Sequence, residues 1–254
     1  MMNLIQSMII AFSMYSKIPV PMVEWNEKNM KYAMCFFPLI GVIIGAAEYF
    51  VGKFLCHISV GKVLFASVMT LLPVIITGGI HLDGFMDTMD ALGSYGDQNK
   101  KLEILKDSNS GAFAVLGMGC YFVWSMGIWS EVTPQMLGAV CFIYVISRAL
   151  SAYSVVTFQS ARKSGLAKTF QDGAGKKSVR ITSVLWLLSG SALMILKNRY
   201  LAGASLICAA LSFGYYRHIC RKEFGGITGD LAGFFLQVCE LLMLTGMVVT
   251  SVWK

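Results

Sequence analysis

The chain has 254 residues, is 56% hydrophobic and only 14% charged, and has a mean hydropathy of +0.64. Soluble domains carry about 25% charged residues, so the composition excludes a soluble globular domain and points to a single integral membrane domain over 1–254. The net charge of +7 suits anionic headgroups or anionic substrates, and no basic helix or zinc-finger spacing points to nucleic acid.

In chain order, Leu4–Tyr15 is apolar but shorter than the about 20 residues a span needs. It runs into Lys17-Ile18-Pro19-Val20-Pro21, and the pattern predicts a short interfacial or re-entrant helix. Seven apolar segments follow, at roughly 32–51, 63–80, 111–130, 135–158, 181–196, 200–216 and 231–253. The fifth and sixth are separated only by Lys197-Asn198-Arg199 and predict a tight helical hairpin. The expected fold class is therefore all-α, a polytopic membrane bundle of about six or seven transmembrane helices. Met1–Phe12 has neither a basic n-region nor a small-residue cleavage site, so no cleavable signal is expected. The seven cysteines lie mostly in apolar segments without a C-x-x-C pair and read as small buried hydrophobes. Gly41 and Gly45 read as helix-packing positions.

Loop charge orients the bundle. With a cytoplasmic N-terminus, one side collects Lys17, Lys28, Lys31, Lys100, Lys101, Lys106, Arg162, Lys163, Lys168, Lys176, Lys177, Arg180, Arg217, Arg221 and Lys222. These fifteen face five on the other side: Lys53, Lys62, Lys197, Arg199 and Lys254. Positive-inside bias then places 77–111, 159–180 and 217–230 together in the cytoplasm. Glu48, Arg148 and Glu240 fall inside spanning segments. Such charges face bundle interiors or aqueous cavities and mark function by default; an Arg–Glu pair that fixes helix register is the structural alternative.

The most distinctive stretch is Thr77–Gly111, which holds six of the fourteen acidic residues. Asp83, Asp87 and Asp90 fall at i, i+4 and i+7, on one helical face. Aligned carboxylates repel unless a positive charge intervenes, and Mg2+ takes such oxygen ligands while bridging to substrate phosphates. Gly78 and Gly79 allow the chain to turn out of the membrane. Beyond lies Lys106-Asp107-Ser108-Asn109, where Lys106 offers a point charge and Ser108 a hydrogen bond to a phosphate. Phe224–Asp230 carries Gly225, Gly226, Thr228 and Asp230 at a helix start, and 159–180, which includes Arg162, is a basic loop suited to clamping anions.

These residues resemble the cobalamin-5'-phosphate synthase family, also called adenosylcobinamide-GDP ribazoletransferase. The likeness rests on Pro19-Val20-Pro21, Phe36-Phe37-Pro38-Leu39-Ile40-Gly41 and above all Gly79-Ile80-His81-Leu82-Asp83-Gly84 through Asp87-Thr88-x-Asp90. It continues in Lys106-Asp107-Ser108, Gly111-Ala112-Phe113, Ser147-Arg148 and Gly225–Asp230, in family order over essentially the whole chain. Ala91 stands where the family usually has Gly, and Asn109 where it usually has a basic residue.

The resemblance implies transfer of the cobinamide-phosphate group of adenosylcobinamide-GDP to α-ribazole or its 5'-phosphate, with release of GMP. It implies Mg2+ on Asp83, Asp87 and Asp90, with Asp107 or His81 accepting the hydroxyl proton. Lys106, Ser108, Arg148, Arg162, Thr228 and Asp230 would bind substrate. The implied setting is the bacterial or archaeal inner membrane, with lipids as partners and a homo-oligomer left open. Two rivals fit less well. A CDP-alcohol phosphotransferase would show D-x-x-D-G-x-x-A-R, whereas Gly84 follows the first aspartate here. An ion-coupled transporter using Glu48, Arg148 and Glu240 would show an inverted repeat.

Overall fold

A computed structural model describes residues 2–253, save the side chains of residues 2, 166 and 167, as helices with no β-strand among the described residues. In order these are α1 (Met2–Tyr15), α2 (Glu27–Met30), α3 (Phe37–His57), α4 (Lys62–Thr77), α5 (Ile80–Gly93), α6 (Gln98–Ile104) and α7 (Ala112–Ser130). There follow α8 (Leu137–Val140), α9 (Ile143–Thr157), α10 (Leu166–Gly173), α11 (Lys176–Lys197), α12 (Arg199–Glu223) and α13 (Gly229–Val252). A short 3-10 turn, Ala33–Cys35, leads into α3.

Among the described residues, five units of 19 to 24 residues are long and apolar enough to cross a membrane: α3, α7, the joined α8–α9, α11 and α13. Together with the bent α4–α5 pair they make up to six, so the chain is a multi-pass membrane helical bundle. The sixth expected segment, 200–216, forms α12, which is 25 residues long but falls outside the spans by the same measure. The predicted hairpin is present: Asn198 breaks the chain between α11 and α12, and its side chain accepts the N–H groups of Tyr200 and Leu201. Helix α1 is indeed too short to span. It packs on α2 and α3, burying Ile10 and Ala11 completely, and Ser7 Oγ donates to the Asn29 carbonyl at 2.5 Å.

Two backbone features set the geometry. Gly78 and Gly79 both adopt left-handed conformations, with φ of 69° and 79°, and turn α5 through 99° from α4. Residues with a Cβ pay a steric penalty there, which glycine avoids. Elsewhere α3 and α9 touch backbone to backbone. A Cβ on Gly41 would lie 2.3 Å from the Tyr144 carbonyl oxygen and one on Gly45 2.1 Å from that of Cys141. This is the small-residue packing the sequence suggested.

The three loops expected on one side do meet. Ile227 N–H donates to the Gln159 carbonyl at 2.7 Å and Ala161 N–H to the Ile227 carbonyl at 3.0 Å, joining 159–161 to 227. Gln98 reaches the Lys222 carbonyl at 2.9 Å, and Lys101 pairs with Glu223. Within 159–180 the structure departs from a simple loop: α10 occupies its middle, and Lys176, Lys177 and Arg180 ride on the first turns of α11. Lys254 lies outside the described residues.

The intramembrane charges largely pair. Arg148 Nη1 donates to Glu240 Oε1 at 2.5 Å, Ser147 Oγ donates to the same oxygen at 2.7 Å, and Glu48 accepts from the Tyr144 hydroxyl at 3.2 Å. Arg148 is fully buried, so this pair locks α9 to α13. Removing one partner strands a buried charge, which costs about 3–5 kcal/mol. Glu240→Ala should therefore lower the unfolding midpoint in detergent sharply, and Glu240→Gln, which keeps an acceptor oxygen, should lower it less; equal midpoints for wild type and Glu240→Ala would contradict the assignment.

Candidate active site

The site grows from the α4–α5 bend. Turned by the two glycines, α5 packs along α7 from Gly111 to Tyr121 and against the start of α13. Its approach to α13 is closer than any Cβ allows. One on Gly84 would lie 2.8 Å from the Asp230 Cα and carbonyl oxygen, and one on Gly233 2.9 Å from the His81 carbonyl oxygen. Gly84 thus follows Asp83 for steric reasons, and the contact brings Asp83 on α5 to the same cleft as Asp230 on α13.

That cleft encloses about 370 Å³. Its mouth carries Asp83, Asp230 and Arg162; its floor is aromatic, with Tyr15, Phe37, His81 and Phe170 drawn from α1, α3, α5 and α10. Asp83 and Ile80 also line a second, wider cleft of about 660 Å³ walled by Met14, Met86, Met118 and Phe122. Asp83 therefore stands between two spaces.

Electrostatics concentrate at the mouth. Arg162 Nη1 lies 3.9 Å from Asp230 Oδ2, and its Nη2 donates to the Leu102 carbonyl at 3.0 Å. Partial burial first, and then the charges of Asp83, Asp230 and Asp90, push the Asp87 carboxyl up to about 6, against a smaller opposing pull from Arg162. The carboxylates outnumber the guanidinium, and their excess negative charge is what a cation would relieve. Asp83, Asp87 and Asp230 provide the hard oxygen donors that Mg2+ takes, so the donor chemistry fits that ion. Among the described residues, however, no three His, Cys, Asp or Glu side chains are already gathered for a metal.

Asp90 explains part of that spacing. Its Oδ2 accepts from Gly111 N–H at 2.7 Å and its Oδ1 from Ala114 N–H at 3.3 Å. The third aspartate of the aligned face is turned to the N-terminus of α7, whose first N–H groups have no intrahelical acceptor. A Cβ on Gly111 would lie 2.2 Å from that carboxylate.

The remaining expected residues separate. His81 lies on the cleft floor, 4% exposed, with both ring nitrogens buried and without a hydrogen-bond partner. Thr228 caps α13, accepting the Leu231 N–H at 3.2 Å. Arg148, expected at substrate, does not line the cleft; it is sealed against Glu240 as described, which is the structural alternative for that residue. Lys106, Asp107 and Ser108 are exposed and do not line the cleft. Asp107 accepts from both the backbone N–H and the side-chain amide of Asn109, at 3.0 and 2.8 Å. Those bonds hold its carboxyl below the usual range, which makes it a weaker proton acceptor. Asn109 thus has a local structural job, and Ala91 is simply core, fully buried. Sequence reasoning missed Tyr15, Phe37 and Phe170. Their only signal was Phe37 within the Phe36–Gly41 motif.

The cobalamin-5-phosphate synthase family matches the chain over residues 7–248. A protein of Lachnoclostridium phytofermentans named adenosylcobinamide-GDP ribazoletransferase is 44% identical over 250 residues, covering 98% of this chain and 96% of that protein. Proteins of the same name are 36% identical in Clostridium botulinum, covering 96% of this chain and 97% of the relative, and 29% identical in Fusobacterium nucleatum, covering 93% and 94%. No solved structure matches.

The cap geometry at Asp90 generates a stability prediction. Losing an N-cap acceptor costs about 1 kcal/mol, so Asp90→Ala should destabilise the detergent-solubilised protein by that order in a chemical-denaturation titration, while Asp90→Asn retains most of it. Equal loss in both variants would show that charge rather than capping is what Asp90 contributes to stability.

Proposed function

The chain belongs to the cobalamin-5-phosphate synthase family, and on that premise we propose that it transfers the cobinamide-phosphate group of adenosylcobinamide-GDP to α-ribazole or its 5'-phosphate. GMP is released, the reaction depends on Mg2+, and the site faces the cytoplasm at the inner membrane. The single observation that carries this reading is the cleft whose mouth sets Asp83 and Asp230 against Arg162, above an aromatic floor.

Phosphoryl transfer asks of a protein mainly charge neutralisation and in-line positioning. A ribose hydroxyl attacks the phosphorus nearer the cobinamide; a new P–O bond forms, the bridging P–O bond to the GMP phosphate breaks, and the hydroxyl proton leaves to a carboxylate. Arg162, anchored by the Leu102 carbonyl, is placed to hold phosphate charge at the mouth. Asp230 lines the same cleft beside Arg162 and is the proton acceptor this geometry favours over Asp107. Asp83 and Asp87 would hold Mg2+, which when bound neutralises charge on the diphosphate and its leaving phosphate. Thr228 fixes the first turn of α13 and so the direction of Asp230.

Purified protein given adenosylcobinamide-GDP and α-ribazole should release GMP with Mg2+ and not with a chelator, and CDP-diacylglycerol should not replace the donor. Asp83→Asn or Asp87→Asn should reduce turnover by at least about a hundredfold, the scale expected on losing a group that stabilises transition-state charge, while the protein still inserts and folds. Near-normal turnover in both variants would overturn the reading.

A further inference from the structure

The floor of the 370 Å³ cleft is more specific than phosphate transfer requires. Four rings meet there: Tyr15 and Phe37 with centroids 4.5 Å apart, Tyr15 and Phe170 at 5.7 Å, and His81 stacked on Tyr15 at 6.0 Å with planes 10° apart. His81 also tilts against Phe37 at 5.8 Å. Within this aromatic wall both imidazole nitrogens are buried and unpartnered. A buried polar group left without a partner costs about 1–3 kcal/mol, and such orphans call for an explanation. A ligand that supplies the missing partner is one, and here the orphan lines a cavity of ligand size.

We infer that this cleft is the base-binding site of the acceptor, taking the planar benzimidazole of ribazole among the four rings, with its in-plane ring nitrogen accepting a hydrogen bond from His81. The inference rests on the transferase reading above and deepens it by assigning the two substrates to different spaces. Chemistry decides between the two bases of the reaction. Guanine carries an amide edge and an amino group, and burying these needs several matched partners. Apart from His81, the inner cleft offers only the hydroxyls of Tyr15 and Ser151 among its side chains, set in Met34, Phe37, Val155 and Leu236. A dimethyl-substituted benzimidazole has one free ring acceptor and otherwise apolar edges, which suits that lining. Size agrees: the corrinoid is far too large for 370 Å³, whereas the wider cleft on the other side of Asp83 is open and mixes Met14, Met86 and Met118 with polar Ser13, Lys17 and Thr77. With the base on the floor, its ribose extends toward Asp83, Arg162 and Asp230.

The test is equilibrium binding of radiolabelled α-ribazole, and separately of adenosylcobinamide-GDP, to the detergent-solubilised full chain. Phe170→Ala and the ring-preserving His81→Phe are compared with wild type, each first checked for an unchanged unfolding midpoint. Each well-folded variant should bind α-ribazole at least about tenfold more weakly, a loss of 1.4 kcal/mol. Affinity for adenosylcobinamide-GDP should stay within about twofold, and KM for α-ribazole should rise with the binding loss. If a well-folded variant weakens the GDP-bearing substrate instead, or neither, the base assignment falls while GMP release by wild type leaves the transferase reading intact. If folded wild type binds no α-ribazole and releases no GMP, both fall together.

Discussion

The rest of the site depends on a steric constraint: two consecutive residues, Gly78 and Gly79, hold left-handed backbone conformations. The 99° bend they make ends one apolar helix and starts another that carries three aspartates, without an intervening loop. Helix α5 therefore leaves the direction of α4. It packs along α7 and against the start of α13, and the glycines at 84 and 233 let it approach α13 until backbone meets backbone. Acidic side chains from two distant segments arrive at one cleft because four glycines leave out four side chains.

Rigidity behind the cleft comes from the buried Arg148–Glu240 pair. It joins α9 and α13, which supply Ser151 and Val155, and Asp230 and Gly233, to the cleft wall. Alone, a buried ion pair is weak evidence of stability. Here it is reinforced by Ser147 and by the Tyr144 carbonyl, which accepts from Arg148 at 3.2 Å. This polar cluster inside the bundle fixes the relative register of two walls on which a phosphate site depends for alignment. The bridge between 159–161 and Ile227 does the same at the mouth. A Cβ on Gly226 would lie 2.5 Å from Ala161 N, so the glycine of the Gly225–Asp230 motif exists for that contact, which holds Arg162 near Asp230.

Much of this was legible in the sequence because membranes impose simple rules. Apolar run lengths located the helices, loop charge brought 77–111, 159–180 and 217–230 to one side, and the Asn198 hairpin followed from a three-residue polar gap. The Asp83–Asp87–Asp90 face was visible from spacing, but spacing treats the three alike. Only the fold shows Asp90 turned to cap α7, because the N-terminus it satisfies lies twenty-one residues further on, at Gly111. Arg148 was legible only as a charge inside a span, because the Glu240 that it pairs with sits ninety-two residues away. The aromatic floor was invisible. Tyr15, Phe37 and Phe170 come from three separate helices, and in a chain with 16 Phe and 10 Tyr only Phe37, within the Phe36–Gly41 motif, is set apart locally from lipid-facing rings.

The central claim is that the excess carboxylate charge at the α5–α13 contact is a divalent-cation site. Direct titration of the purified protein with Mn2+, a spectroscopically visible substitute for Mg2+, followed by electron paramagnetic resonance of the free ion, tests it without recourse to turnover. The account predicts saturable Mn2+ binding that Mg2+ displaces, that is lost in Asp83→Asn and Asp87→Asn, and that survives in Asp90→Asn because Asp90 is turned away to α7. Absence of saturable binding to the folded wild-type protein, or binding unaffected by Asp83→Asn and Asp87→Asn, would contradict it.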